Sequence, residues 1–253
     1  LGAERPELYA NLPEEGGRAI VRADEPFKNI RLAKPWLLTL YPTQGFADLE
    51  GLSLEEYTRV IVRASVTDPR MLEEVEEDIH RLMSRTHRVR VLTACPKTGR
   101  TLELGMSIAG QRIVKCTGKR NFPDGEVYTS PDANSVAGEI YLDLPVLYSG
   151  VTIRGIYLRL EDGRIRDYSA EEGFEALRGI IETDDGSHRL GEVALGMNNG
   201  LERALKHPLF VEKVGGTLHI AIGSSYKQSY VDDPESPEGR QRLDEFTRLG
   251  TYN

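Results

Sequence analysis

Arg88-Val89-Arg90-Val91-Leu92-Thr93, followed beyond a turn at Gly99 by Thr101-Leu102-Glu103-Leu104-Gly105-Met106, is where the hydrophobic period of the chain changes. Apolar and polar residues alternate in both runs, which is the two-residue period of a half-buried strand. Toward the C-terminus the pattern predicts strands over Arg112 to Lys115, Glu126 to Thr129, Gly138 to Leu144, Val151 to Leu160 and Arg164 to Tyr168. Gly110 supplies one turn and Asp162-Gly163 a hairpin. Toward the N-terminus the period is helical. Ser53-Leu54-Glu55-Glu56 is a capping box that starts a helix running to about Ala64. Asp68-Pro69 opens a second helix, with Met71, Leu72, Val75, Ile79, Leu82 and Met83 at helical spacing. Its acidic run Glu73, Glu74, Glu76, Glu77 and Asp78 reads as the solvated face.

A strand through Trp36 to Tyr41 and a loop to Ser53 precede these helices. After the strands come a predicted helix from Ala170 to about Glu182, a break at Thr183-Asp184-Asp185-Gly186 and a short helical stretch over Leu190 to Leu195. A strand over Thr217 to Ile222 and a helix over Glu238 to Leu249 complete the pattern. Helices, then mostly antiparallel strands, then mixed elements predict an α+β fold: a mainly antiparallel mixed sheet with packed helices. The organisation expected is an N-terminal portion of mixed helix and strand, residues 1–87, and a second portion, residues 88–253.

A chain of 253 residues with net charge −8 is a poor match for nucleic acid or an anionic membrane as main partner. Cys95 and Cys116 are too few for a disulfide framework and form no Cys-x-x-Cys pair, so they read as small buried hydrophobes in a reducing compartment. No apolar run approaches the ~20 residues of a membrane span and no secretory segment opens the sequence, which makes the cytoplasm the expected location. Leu1-Gly2-Ala3 and Leu249-Gly250-Thr251-Tyr252-Asn253 read as cuts through a longer polypeptide.

Three stretches can carry chemistry. In Asn121-Phe122-Pro123-Asp124-Gly125-Glu126-Val127-Tyr128-Thr129-Ser130-Pro131, Pro and Gly bracket a turn and Glu126 falls at a strand start. A carboxylate held there can serve as a metal ligand or general base, or be an ordinary turn glutamate. Arg189-Leu190-Gly191-Glu192-Val193-Ala194-Leu195-Gly196 sets one acid among small apolar residues, either as a ligand or in a buried ion pair. In Gly216-Thr217-Leu218-His219-Ile220-Ala221-Ile222-Gly223, alternation places His219 on a face with Thr217 and Ala221, which leaves room beside it. Tyr226 follows in a small-residue loop. His80, His87, His188 and His207 sit among charged or turn residues and read as surface.

The stretch from Phe122 to Pro131 closely resembles the glutamate motif of the aminopeptidase T/aminopeptidase S family. Leu190 to Leu195 looks like its second glutamate motif, and His219 to Gly223 with Tyr226 looks like its third. The resemblance covers roughly Trp36 to Asn253. It implies a metal site in a cleft, with two divalent ions (Zn²⁺, Co²⁺ or Mn²⁺) held by Glu126, Glu192 and His219, and Tyr226 as a ligand or beside the metals. Glu126 and Tyr226 are then the catalytic candidates of a hydrolase that removes N-terminal residues from peptides, acting as a homodimer. The three ligands are expected to converge closely enough to share ions ~3.5–4 Å apart. The family also uses a His-x-Asp pair, which occurs nowhere in these residues, and its N-terminal α/β domain is mostly absent; weak or partial metal occupancy is therefore expected. Two other readings stand beside this one: a single-Fe²⁺ dioxygenase that opens dihydroxypyridine rings on a similar scaffold, and an inactive scaffold or dimerisation fragment.

Overall fold

The computed structural model describes residues 34–249, together with positions 23, 26, 27 and 30. The two ends read as cuts, at Leu1-Gly2-Ala3 and beyond Leu249, lie outside the described residues. The N-terminal portion contains β1 (Leu38–Thr39), α1 (Gln44–Leu49), α2 (Leu54–Ser65) and α3 (Pro69–Met83). The capping box forms as predicted. The Ser53 hydroxyl accepts from the Glu56 N–H, and the Glu56 carboxylate accepts from the Ser53 N–H.

β2 (Arg88–Ala94), β3 (Thr101–Ser107), β7 (Ala137–Leu142), β10 (Ile156–Glu161) and β11 (Arg164–Ser169) build a five-stranded antiparallel sheet in the order β11-β10-β7-β3-β2. β4 (Val114–Cys116), β6 (Glu126–Thr129), β12 (Leu190–Gly196) and β13 (Leu218–Ile222) build a second antiparallel sheet in the order β13-β12-β6-β4. β5 (Asn121–Phe122) pairs in parallel with β1, and β8 (Val146–Tyr148) with β9 (Val151–Ile153) makes a small hairpin. Helices α4 (Phe174–Ile181), α5 (Pro208–Val211) and α6 (Pro237–Leu249) complete the fold, which is the α+β class expected.

Leu104, Ile140 and Leu158 of the first sheet share one buried apolar core with Val127, Leu190 and Val193 of the second. Leu177 and Ile181 of α4 belong to it as well. A separate cluster joins α1 and α2, through Phe46, Tyr57 and Ile61, to Leu201, Leu205 and Phe210. No helix among the described residues is long and apolar enough to cross a membrane.

Four local expectations are corrected. The predicted loop before Ser53 contains α1, capped by Thr43 and held by burial of Phe46 and Ala47. The strand expected over Val151 to Leu160 is two strands, broken where Gly155 adopts φ +62. The stretch Leu190 to Leu195 is not helical; it is β12, because pairing with strands on both sides decides a short apolar run whose period is ambiguous. Finally, α3 buries a different stripe. Met71 and Leu82 are about two-thirds exposed (66% and 64%), while Glu76 has no exposed surface. The helix docks on β4 and β6 through Leu72, Glu76, Ile79 and Met83, an i, i+4, i+7, i+11 stripe that includes one supposedly solvated acid.

Candidate metal centre

Strand register assembles the site. Glu126 lies opposite Cys116 of β4 on one side and opposite Gly196 of β12 on the other. Glu192 pairs with Ala221, and His219 pairs with Ala194, which in turn pairs with Tyr128. Because neighbouring residues in register share a face, Cys116, Glu126, Tyr128, Glu192 and His219 stand on one side of the sheet. Val127, Val193 and Ile220 point into the core on the other side. Ala194 and Ala221 are the small neighbours of His219 and Glu192 on that face, while Gly196 lets the chain around Val214 pass close, a Cβ there lying 2.2 Å from the Val214 carbonyl oxygen.

Two backbone devices set this arrangement. A β-bulge separates Leu190 from Glu192, and a Cβ at Gly191 would lie 2.0 Å from the Gly223 carbonyl oxygen. Only glycine fits there, and the extra residue sets the parity that turns Glu192 toward His219. Just past the other end of β12, Asn198 is buried and its amide donates to the Asp124 carbonyl at 2.8 Å and the Ala64 carbonyl at 3.1 Å. Met197 N–H adds a bond to the Gly125 carbonyl. These contacts pin the turn before Glu126 to the end of α2.

His219 Nε2 is 3.2 Å from Glu192 Oε1 and 3.2 Å from Glu126 Oε2. The structure therefore brings these three predicted residues together. Tyr226 is 59% exposed and stands at the rim, its ring 5.7 Å from that of Tyr128. Two residues the sequence reading passed over complete the cluster. The Lys213 ammonium, 1% exposed, lies 2.6 Å from Glu126 Oε1 and 3.2 Å from Glu212 Oε2. Ligand atoms of Glu126, Glu212 and His219 all fall within 4.8 Å of one another. Glu212-Lys213, a charged pair between Val211 and Val214, carried the same signal that drew attention to Glu192. His207 was also misread: it is half-buried against Phe46 and Phe210, and caps α5 by accepting from the Leu209 N–H.

The charges shape one another. Burial opposes ionisation of Glu126, but Lys213 and His219 outweigh it and hold its carboxyl well below the usual range. Burial likewise opposes a charged His219, yet the adjoining carboxylates of Glu126 and Glu192 raise it to about 9. Behind Glu126, burial lifts Asp124 to about 7 and Glu76 to about 8. Burial pushes the Cys116 thiol up, with Glu126 and Asp124 adding to the effect. Burial, then Cys116, Glu192 and Tyr226, raise the Tyr128 phenol.

These residues fit a divalent cation. One imidazole nitrogen faces two carboxylates at contact distance. Glu126 Oε2 and His219 Nδ1 are buried and make no hydrogen bond among the described residues. A proton shared between His219 and two acids satisfies such a set poorly; oxygen-rich donors with one imidazole suit borderline divalent ions.

A family model described as thermophilic metalloprotease (M29) matches residues 14–245. The chain belongs to the M29 family. This agrees with the resemblance carried by the three motifs. Among curated proteins, this M29 chain is similar to aminopeptidase 2 of Geobacillus stearothermophilus, at 37% identity over 109 residues, covering 42% of this chain and 26% of the relative. Aminopeptidase T of Thermus aquaticus is 35% identical over 134 residues, covering 51% and 31%. The structure of wild-type AmpT from Thermus thermophilus superimposes with a TM-score of 0.72 at 27% identity, over 96% of this chain and 65% of that one. The match thus spans about a quarter to a third of the length of these curated relatives.

Proposed function

We propose that this chain carries the metal-binding part of a metallo-aminopeptidase that releases N-terminal residues from peptides. The observation that supports it most is His219 Nε2 facing Glu126 and Glu192 from separate strands at 3.2 Å, in an M29 chain. Glu126, Glu192 and His219 would hold a pair of divalent ions, Zn²⁺, Co²⁺ or Mn²⁺. Such ions, when bound, would lower the pKa of a bound water and polarise the scissile carbonyl. The protein's own part is to supply the negative charge, to give up the His219 proton as the ion binds, and to keep the cluster dry on its core side. Tyr226, at the rim, would donate to a developing oxyanion or coordinate. The site residues all come from the 88–253 portion, which we assign as the catalytic part, with 1–87 as the N-terminal portion of mixed helix and strand. A homodimer in the cytoplasm accompanies this reading.

The dioxygenase alternative calls for several histidines and an aspartate around one Fe²⁺. A single histidine among three glutamates favours the peptidase. The scaffold reading has no observation of its own. Metal analysis after dialysis against Zn²⁺, Co²⁺ or Mn²⁺, paired with hydrolysis of aminoacyl-p-nitroanilides by this chain and by any longer product, tests the proposal. The expected result is uptake of divalent ions, with activity lost on chelation. A chain that takes up none of the three would overturn it.

A further inference from the structure

We infer that Lys213 is a built-in counter-cation: it reserves Oε1 of Glu126, leaves only Oε2 for a metal ion, and holds the carboxylate cluster together before the ion arrives. This rests on the metal reading above and adds a positioning residue to it.

The geometry divides the two oxygens of Glu126 cleanly. Oε1 takes the Lys213 ammonium at 2.6 Å, whereas Oε2 is buried, makes no hydrogen bond among the described residues and faces His219 Nε2 at 3.2 Å. Lys213 cannot easily leave. Its N–H donates to the Phe210 carbonyl at 3.0 Å, its carbonyl accepts from Asn198 N–H at 2.8 Å, and its side chain is 1% exposed. The same Asn198 pins the turn that carries Glu126, so donor and acceptor are fixed to one another through a single residue. Glu212 Oε2, at 3.2 Å, gives the ammonium a second carboxylate partner.

Charge balance points the same way. Glu126, Glu192 and Glu212 carry three negative charges around one permanent positive charge. Lys213 thus lowers, without cancelling, the negative charge left for divalent ions, and a proton on His219 lowers it further. Without Lys213 the cluster would bear a third uncompensated charge in a site that is largely buried, which favours an added cation and disfavours the metal-free fold.

The test uses the full chain with Lys213→Met and Co²⁺ as the probe. Three readouts apply: Co²⁺ affinity by titration calorimetry, the visible absorption of the Co²⁺ form, and the melting temperature after chelation. In Lys213→Met we expect Co²⁺ to bind about tenfold or more tightly, the scale for removing a unit charge a few ångströms from an ion in a part-buried site. The Co²⁺ bands should shift as Glu126 gains use of both oxygens, and the chelated protein should melt several degrees lower. Glu126→Gln/Lys213→Met, which removes both charges, should recover the melting temperature of the chelated form. Unchanged affinity, bands and melting in Lys213→Met would overturn the inference while leaving the metal reading intact. So would failure of both the single and the double variant to fold, because Lys213 would then serve packing and not charge. A wild-type chain that takes up no Co²⁺ removes the metal reading, and the inference with it.

Discussion

The two principal sheets are built alike, antiparallel and twisted around one shared core, yet they hold together by different physics. In the five-stranded sheet, one face buries Leu104, Ile140 and Leu158, while the other carries exposed ion pairs such as Arg90–Glu103 and Arg100–Glu139. Exposed pairs of this kind contribute little, so burial of the apolar face dominates. In the four-stranded sheet, β6 is buried throughout and β12 nearly so. Its second face gathers carboxylates, a lysine and a histidine at contact distance. Removing one member there leaves its partner stranded. Apolar side chains can be lost one at a time, whereas a buried charge cluster responds as a unit.

The sharpest way to break the second sheet is Glu126→Gln. The neutral amide keeps the size of the glutamate but gives up the charge that Lys213 and His219 both meet. Hydrolysis of aminoacyl-p-nitroanilides should fall by about a hundredfold or more, and bound metal should drop with it. Stability should fall too, by roughly 3–5 kcal/mol, since Lys213 stays buried with one partner gone. Denaturant melts and metal analysis on the same preparation check both. Normal turnover with normal metal content would remove Glu126 from the chemistry.

Leu104→Ala is the matched perturbation of the first sheet. Leu104 is fully buried between β2 and β7, so the cavity should cost about 2–5 kcal/mol. Here metal affinity should stay near the wild-type value, because the side chain touches none of the charged groups. If Leu104→Ala lowered metal affinity as strongly as Glu126→Gln, the proposed division between the sheets would fail.

The same contrast explains what could be read in the sequence. Arg88 to Ala94 and Thr101 to Ser107 alternate openly because one face is wet, and the capping box and the Asp162-Gly163 hairpin announce themselves through local backbone needs. β12 reads as a helix in sequence because both its faces are buried, which erases alternation, and because Gly191 sits at a bulge that only long-range pairing reveals. Glu126, Glu192 and His219 were found through motifs. Glu212 and Lys213 carried no motif, and their role appears only when α5 brings them across to Glu126. Asn198 was invisible for a similar reason: it looks like a loop asparagine until its amide is seen holding the turn before Glu126.

Glu76 is the smallest and most delicate probe of the boundary between the two regions. The acidic run of α3 reads as a solvated face, yet Glu76 has no exposed surface. Burial, then the charge of Asp124, raises its carboxyl to about 8; Lys115 acts the other way, and Glu126 and Glu73 add to the rise. Neither of its oxygens makes a hydrogen bond among the described residues. The folded state therefore prefers the protonated form, while in the unfolded chain the carboxyl ionises near its ordinary 4.5. A raised carboxyl stabilises the fold below the unfolded pKa, and that contribution is lost as pH rises from about 4.5 toward 8. Glu76→Gln mimics the protonated acid and cannot ionise. Near pH 5 the variant should lie within about 1 kcal/mol of wild type. As pH climbs toward 8 the wild type should lose ground relative to the variant, so the difference in denaturant midpoint moves in favour of Gln. Asp124, also raised by burial, to about 7, titrates in the same window and its charge is one cause of the Glu76 rise, so the pH dependence of the difference reports the coupled pair. A midpoint difference that stays flat between pH 5 and 8, within the window the two pKa values set, would mean that Glu76 is ionised in the fold and has found a cation on the β4 and β6 side.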